Sequence, residues 1–153
     1  MANEEKFSEL IAELQQARIK HNPENILAIT KLADSRIVFL ETGNTKAGLQ
    51  HIRGNHENDF EKRGISLNQI PDVTIKAIAQ GKVLGKQGAT RTIYEVAFEG
   101  KTQYISVDVG NNGYIVGANP TPRRLIRRLT QGKSSWPKKL NSWQNTNTLL
   151  CGI

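Results

Sequence analysis

The chain has little cysteine, few aromatic residues and no long hydrophobic run. Cys151 is the only cysteine, so the chain cannot form an internal disulfide or a zinc site with a second cysteine. No apolar stretch approaches the ~18 consecutive residues that a membrane-spanning helix needs. The charged N-terminus, MANEEKFSEL, lacks the apolar core of a signal peptide. These absences predict a cytoplasmic protein without membrane segments, although some export routes need no such signal.

Acidic residues are missing from the end of the chain. All 14 aspartates and glutamates lie at or before Asp108, and seven lysines and arginines follow it without an acidic counterweight. This one region therefore accounts for the formal net charge of +7. A concentrated basic region is typical of proteins that bind a polyanion such as RNA, DNA or an anionic membrane surface. A solubilising tail would have the same composition, so composition leaves both interpretations open.

Hydrophobic periodicity predicts an α+β domain. Helices are predicted for residues 7–14, 24–34, 46–64 and 70–81, and a strand is predicted for residues 35–43. The alternating segment TRTIYEVAFEGKTQYISVDVGNNGYIVGANP, with turns at EG and GNNG, predicts three antiparallel strands. KVLGK before it can supply a fourth strand, and TPRRLIRRLTQ predicts a short basic helix.

These elements predict N-terminal helices packed on one face of an antiparallel sheet of about four strands. The other face of the sheet is expected to be free and to offer a place for a cleft. A single domain is expected over residues 1–131, followed by a loosely structured basic tail over residues 132–153.

Two of the three histidines lie within the segment GLQHIRGNHENDF. His51 and His56 are five residues apart, which places them ~140° apart on an unbroken helix, so they can converge only if the helix ends or bends at Gly54 and Asn55. Two converging imidazoles suit RNA cleavage, because one can accept the 2′-hydroxyl proton while the other protonates the leaving 5′-oxygen. By spacing alone, two surface histidines near a helix end are more often inert, and the spacing does not match the i, i+4 pattern of metalloproteases.

The sequence GLQHIRGNHENDFEKRGI, followed by a helix and a β-meander, resembles the barnase/EndoU/colicin/RelE-type ribonuclease superfamily. It is most similar to EndoU-like and to phage- or toxin-associated nucleases, over residues 46–121. The resemblance implies helices before a four-stranded antiparallel sheet, no cofactor, no metal and RNA cleavage that leaves a cyclic phosphate. It also implies two catalytic histidines and a lysine assisted by a hydroxyl group.

Carried over residue by residue, the resemblance assigns His51 and His56 as base and acid in either order. Lys86 is the preferred lysine, with Thr90 as its hydroxyl partner, and Lys82 is the second choice. In the stretch GANPTPRR, Asn119 and Gly117 stand where the family has tyrosine and threonine, so Tyr114 or Thr121 would have to contact the base. The candidate substrate-binding residues are Arg53, Lys82, Tyr114, Asn119, Thr121, Arg123 and Arg124.

The sequence therefore predicts a metal-independent endoribonuclease whose partner is RNA, with tRNA as one candidate. A non-catalytic nucleic-acid-binding module is the first alternative. A toxin-like effector domain bound by an acidic inhibitor protein is the second, since complementary charge speeds association.

Overall fold

A computed structural model describes the backbone of residues 2–135 and the side chains of residues 5–130. Within this part of the chain there are four α-helices and six β-strands. The helices are α1 (Ala2–Gln16), α2 (Leu49–Lys62), α3 (Ile70–Gln80) and α4 (Arg123–Ser135). The strands are β1 (Ile26–Lys31), β2 (Ile37–Glu41), β3 (Lys82–Gln87), β4 (Arg91–Phe98), β5 (Lys101–Val109) and β6 (Ile115–Pro120). None of the described helices is both long enough and apolar enough to cross a lipid bilayer.

Strands β3 to β6 form one antiparallel sheet in the order of the chain. The sheet face that carries Val96, Ile105 and Val107 is buried against Phe60 of α2 and Val73 of α3. The alternation along β4 and β5 produces this arrangement, because every second side chain points to the same face. The predicted α+β class, with helices packed on one face of a four-stranded antiparallel sheet, is confirmed.

The opposite face of this sheet is not free throughout, contrary to the expectation from the sequence. Ile93, Ser106 and Asn119 are paired across β4, β5 and β6 and therefore point to this face. Ile93 and Ser106 are fully buried, and Asn119 retains only 4% of its exposure. Arg91, two residues before Ile93 on the same face, is only partly buried. At the other end of the same face, Ala97 and Thr102 are exposed, so this face is closed at its centre and open to solvent toward both ends.

Strands β1 and β2 form a separate two-stranded antiparallel sheet. The helix predicted for residues 24–34 is therefore wrong, since its centre is strand β1. Ile26 and Ala28 are buried while Leu27 between them is exposed, which is the two-residue alternation of a strand. A short apolar run does not by itself distinguish a buried strand from a helix. Pairing with the fully buried strand β2 decides the outcome.

Helix α2, predicted over residues 46–64, is uninterrupted from Leu49 to Lys62, so the bend at Gly54 and Asn55 that convergence of the two histidines requires does not occur. Ile52 and Phe60, which lie on either side of the glycine, are both completely buried. A glycine inside a helix costs about 1 kcal/mol relative to alanine. Burial of a large apolar side chain contributes about 1.5–3 kcal/mol, so the two anchors outweigh that cost.

The chain divides into two compact units, Met1–Pro120 and Thr121–Ile153. In the second unit, α4 is the predicted basic helix, and its Arg123, Arg124, Arg127 and Arg128 side chains are exposed. This helix continues to Ser135, past the boundary expected after residue 131. The remainder of the predicted tail, residues 136–153, lies outside the described part of the chain.

Candidate active site

A tight loop before α2 holds the backbone carbonyl of Thr45 above the first turn of the helix. The backbone N–H of Asn44 donates to the carbonyl of Ala47 at 2.9 Å and closes the loop. Gly48 follows with φ of 87°, and a Cβ there would lie 2.9 Å from a backbone carbonyl oxygen. Position 48 therefore requires glycine, since other residues strain both the backbone angle and the packing.

The start of α2 is fixed to the edge strand β6. The Gly48 N–H donates to the carbonyl of Val116 at 3.0 Å. Ile52, on the first turn, is fully buried in the core between the helix and the sheet. These two anchors set both the position of the helix and its rotation. His51 consequently lies beside Gly117, the next residue of β6.

The contacts of the His51 ring favour one tautomer of the neutral imidazole. Its Nδ1 lies 2.9 Å from the carbonyl oxygen of Thr45. A carbonyl can only accept a hydrogen bond, so Nδ1 carries the hydrogen and Nε2 keeps its lone pair. The Asn55 side-chain nitrogen lies 3.1 Å from the same Nδ1, but it donates to the His51 carbonyl at 3.0 Å. The arrangement leaves Nε2 as the ring nitrogen able to accept a proton.

Arg91, Asn119 and Gln87 form a hydrogen-bonded chain across the sheet. Arg91 Nη1 donates to Asn119 Oδ1 in a short contact. The Asn119 side-chain nitrogen donates to Gln87 Oε1 at 3.1 Å and to the Pro120 carbonyl at 2.8 Å. Since Asn119 is almost fully buried, its satisfied amide fixes the orientation of the guanidinium.

Gly117 is the point at which the helix and the sheet bring their polar side chains together. A Cβ at this residue would lie 3.0 Å from Arg91 Nη2 and 3.4 Å from His51 Cδ2. The guanidinium and the imidazole are therefore neighbours across a glycine. Cδ2 is bonded to Nε2 and not to Nδ1, so the free nitrogen of His51 is one bond away from the ring atom that faces Gly117. A base and a cation share this small, partly exposed region.

His56 is not brought to this site. Because α2 is continuous, a five-residue separation turns His56 about 140° around the helix axis from His51. Its Nδ1 lies 3.0 Å from Asp59 Oδ2, and 27% of the His56 side chain is exposed. The expected convergence of the two histidines is therefore wrong, because the bend that it required is absent.

The predicted Lys86–Thr90 pair does not form. Lys86 Nζ donates to Thr92 Oγ1 at 3.2 Å, which follows from the direct pairing of these two residues across β3 and β4. Thr90, in the turn between the strands, donates to Asp108 Oδ2 at 3.3 Å. Lys82 begins β3 opposite Glu95 and is exposed. The cation that the structure places beside His51 is Arg91.

The predicted base-contacting side chains have other surroundings. Tyr114 packs edge-on against Phe39, with ring centroids 5.6 Å apart. Burial raises the pKa of Tyr114 above its ordinary value, and the Glu41 carboxylate raises it further. Thr121, at the start of the second unit, is fully buried. Asn119 accepts a hydrogen bond from Arg91 and is almost fully buried, so little of its side chain is exposed for contact with a base.

The tyrosines of the sheet also have raised pKa values. Burial is the main cause for both Tyr94 and Tyr104. Tyr104 donates its hydroxyl hydrogen to Glu95 at 3.1 Å, and this carboxylate also raises the tyrosine pKa. Neither tyrosine is therefore prepared to act as an anionic base near neutral pH.

Arg53 lies on the exposed side of α2, where it forms a 3.5 Å ion pair with Glu57. Arg123 and Arg124 belong to α4 in the second compact unit.

Among the described residues, no three histidine, cysteine, aspartate or glutamate side chains are grouped as metal ligands.

Sequence reasoning missed Arg91 and Gln87. Their partner Asn119 is 28 and 32 residues away along the chain, and only strand register brings them together. One signal was available, because Arg91 is in phase with Ile93 on a strand and therefore shares its face.

No family model matches the chain, and no curated protein matches it at a significant level.

Proposed function

We propose that the chain is a metal-independent endoribonuclease in which His51 is the general base and Arg91 binds the scissile phosphate. One observation carries this proposal: a histidine with a single free ring nitrogen lies beside an oriented arginine at Gly117. A neutral imidazole is well suited to accept a proton near neutral pH, and a guanidinium matches the geometry of a phosphate.

RNA supplies the nucleophile for this reaction. His51 Nε2 accepts the proton of the 2′-hydroxyl as the 2′-oxygen forms a bond to phosphorus. The bond from phosphorus to the 5′-oxygen breaks, and its electron pair remains on that oxygen. The leaving oxygen takes a proton from water, since His56 lies elsewhere, and the resulting hydroxide is neutralised by the proton that His51 releases. The products are a 2′,3′-cyclic phosphate and a free 5′-hydroxyl.

Arg91 supports the proposal by its prior orientation. One of its terminal nitrogens is bound to Asn119, and the other lies near Gly117 and His51. A donor fixed before the reaction stabilises the extra negative charge of the phosphorane without reorganisation, an effect worth about 2.7–4 kcal/mol in comparable sites.

The exposed arginines of α4 fit the same substrate class. Arg123, Arg124, Arg127 and Arg128 belong to the region without acidic residues. Contacts with phosphates raise affinity without reading sequence and weaken as salt rises.

The test is cleavage of end-labelled RNA in excess EDTA. Intact activity with cyclic-phosphate ends is expected. With a fluorescent 5′ label, these ends are identified because phosphatase removes the 3′-terminal phosphate of the labelled fragment, and so changes its gel mobility, only after acid has opened the ring. Loss of activity in EDTA would indicate a metal enzyme instead. RNA binding without any cleavage would favour the non-catalytic binding module.

Gly117→Ala is expected to reduce cleavage about tenfold or more, because small displacements of reacting groups are costly. The new methyl group would lie 3.0 Å from Arg91 Nη2, so the guanidinium would have to move. Backbone strain is not expected, since Gly117 does not have a positive φ. Steady-state kinetics with thermal melting checks both statements. Unchanged kcat/KM would show that Gly117 does not adjoin the reacting groups.

A further inference from the structure

The exposed side of α2 carries a polar cleft next to His51. Its volume is about 470 Å³, and Thr45, Gln50, Arg53, Asn55 and Asn58 are among the residues that line it. Sites for small organic groups commonly measure ~300–1,000 Å³. The size is therefore adequate for a nucleobase with its sugar.

The cleft adjoins the proposed catalytic base through two of its lining residues. The Thr45 carbonyl and the Asn55 amide both lie within hydrogen-bonding distance of His51 Nδ1. The other side of the imidazole lies next to Arg91 across Gly117. The cleft and the proposed phosphate position are thus on opposite sides of one aromatic ring, a separation that neighbouring parts of one nucleotide can span.

Gly54 forms part of the cleft and has no packing reason to be glycine. Among the described residues, nothing outside the local helix lies within 4 Å of a Cβ built at this position, and φ is not positive. A glycine in a helix lowers stability relative to alanine, so the residue is unfavourable for the fold alone. Its effect is to leave the helix backbone open to close approach by a ligand.

The chemistry of the lining indicates what it binds. Gln50, Asn55 and Asn58 present carboxamides, which can both donate and accept hydrogen bonds as the edge of a base does. Arg53 is oriented by its pair with Glu57, and a guanidinium can stack on a base.

We infer that this cleft is a nucleoside subsite that holds the base of a nucleotide flanking the scissile phosphate and selects among bases. The inference rests on the proposed ribonuclease activity and adds to it the place where the substrate is recognised. It also makes Arg53, a substrate-binding candidate from the sequence, a contact to the base.

The experiment uses the sixteen ribodinucleoside monophosphates as substrates for the full chain and for Gly54→Ala, Asn58→Ala and Glu61→Ala. Glu61 is exposed on the same helix and does not line the cleft, so its variant is the matched control. Gly54→Ala is expected to raise the melting temperature by about 2–4 °C. The same variant is expected to raise KM about tenfold with kcat within about threefold, because the methyl group occupies the space of the ligand.

The wild-type chain is expected to favour some bases at one of the two positions, and Asn58→Ala is expected to flatten that preference. The subsite would be overturned if the wild-type chain cleaves these substrates, Gly54→Ala has the wild-type KM and Asn58→Ala has the wild-type base preference. The proposed ribonuclease activity would still hold in that case. If the wild-type chain cleaves neither the sixteen dinucleoside monophosphates nor long RNA, the proposed function and the subsite are overturned together.

Discussion

His51→Ala is expected to slow RNA cleavage by at least ~100-fold, whereas His56→Ala stays within about threefold of the wild-type rate. The two histidines lie on one helix, but only His51 adjoins Arg91 and Gly117. His56 is paired with Asp59 on the helix surface, and such pairs contribute at most ~1 kcal/mol to stability. Single-turnover cleavage of labelled RNA measures the difference.

The two histidine variants are controls for each other. Each removes one imidazole from α2, and neither is among the fully buried anchors of that helix. Circular dichroism should show equal helix content in both variants. Equal losses of activity would contradict the structure, because both rings would then have to reach the phosphate. That result would restore the two-histidine mechanism and require α2 to bend in the complex.

Arg91→Ala is expected to reduce cleavage by about 10²–10³-fold, because a fixed donor to the phosphorane is lost. Arg91→Lys should recover little of that activity, since an ammonium cannot bind Asn119 and a phosphate oxygen in a fork. Removal of the guanidinium also leaves the buried Asn119 oxygen without this donor, at a cost of about 1–3 kcal/mol. Cleavage by this variant should therefore be assayed well below its melting temperature, which is measured in parallel.

Lys86→Ala is the matched control for Arg91. Lys86 is an exposed cation of the same β3–β4 hairpin, and it donates to Thr92, whose side chain points to the opposite face of the sheet from Arg91. Its removal is expected to change cleavage by less than about fivefold, as for a single exposed charge. A loss as large as that of Arg91→Ala would make the lysine the catalytic cation. The catalytic role of Lys86 that the resemblance implies would then be supported.

Some elements were predictable because their signal is local. The apolar positions of α3 recur with the helical period. The sequences of β4 and β5 alternate, and turn residues separate these strands from each other and from β6. Strand β1 was mistaken for a helix because four apolar residues in succession fit either structure. The period predicted α2 but did not decide whether it bends at Gly54, since the burial of Ile52 and Phe60 on either side of that residue depends on the sheet beneath them.

In the candidate site, too, some features have a local signal in the sequence and others depend on tertiary contacts. His51 could be named from the segment GLQHI and its resemblance, but its tautomer depends on a carbonyl presented by a folded loop. The strand period places Arg91 on the same face as Ile93, but its pairing with Asn119 could not be predicted, because that contact depends on the register of three strands. The partner of Lys86 was misjudged for the same reason, since cross-strand pairing selects Thr92 over the nearer Thr90.

The α+β class, the basic end of the chain and the concentration of histidine at the start of one helix can all be read from the sequence. These properties follow from composition and from periods of two or 3.6 residues, which a single chain displays directly. Only the tertiary structure decided which histidine meets a cation and which cation it meets. The direction of a side chain around a helix and its neighbours across a sheet depend on anchors and register contributed by distant residues.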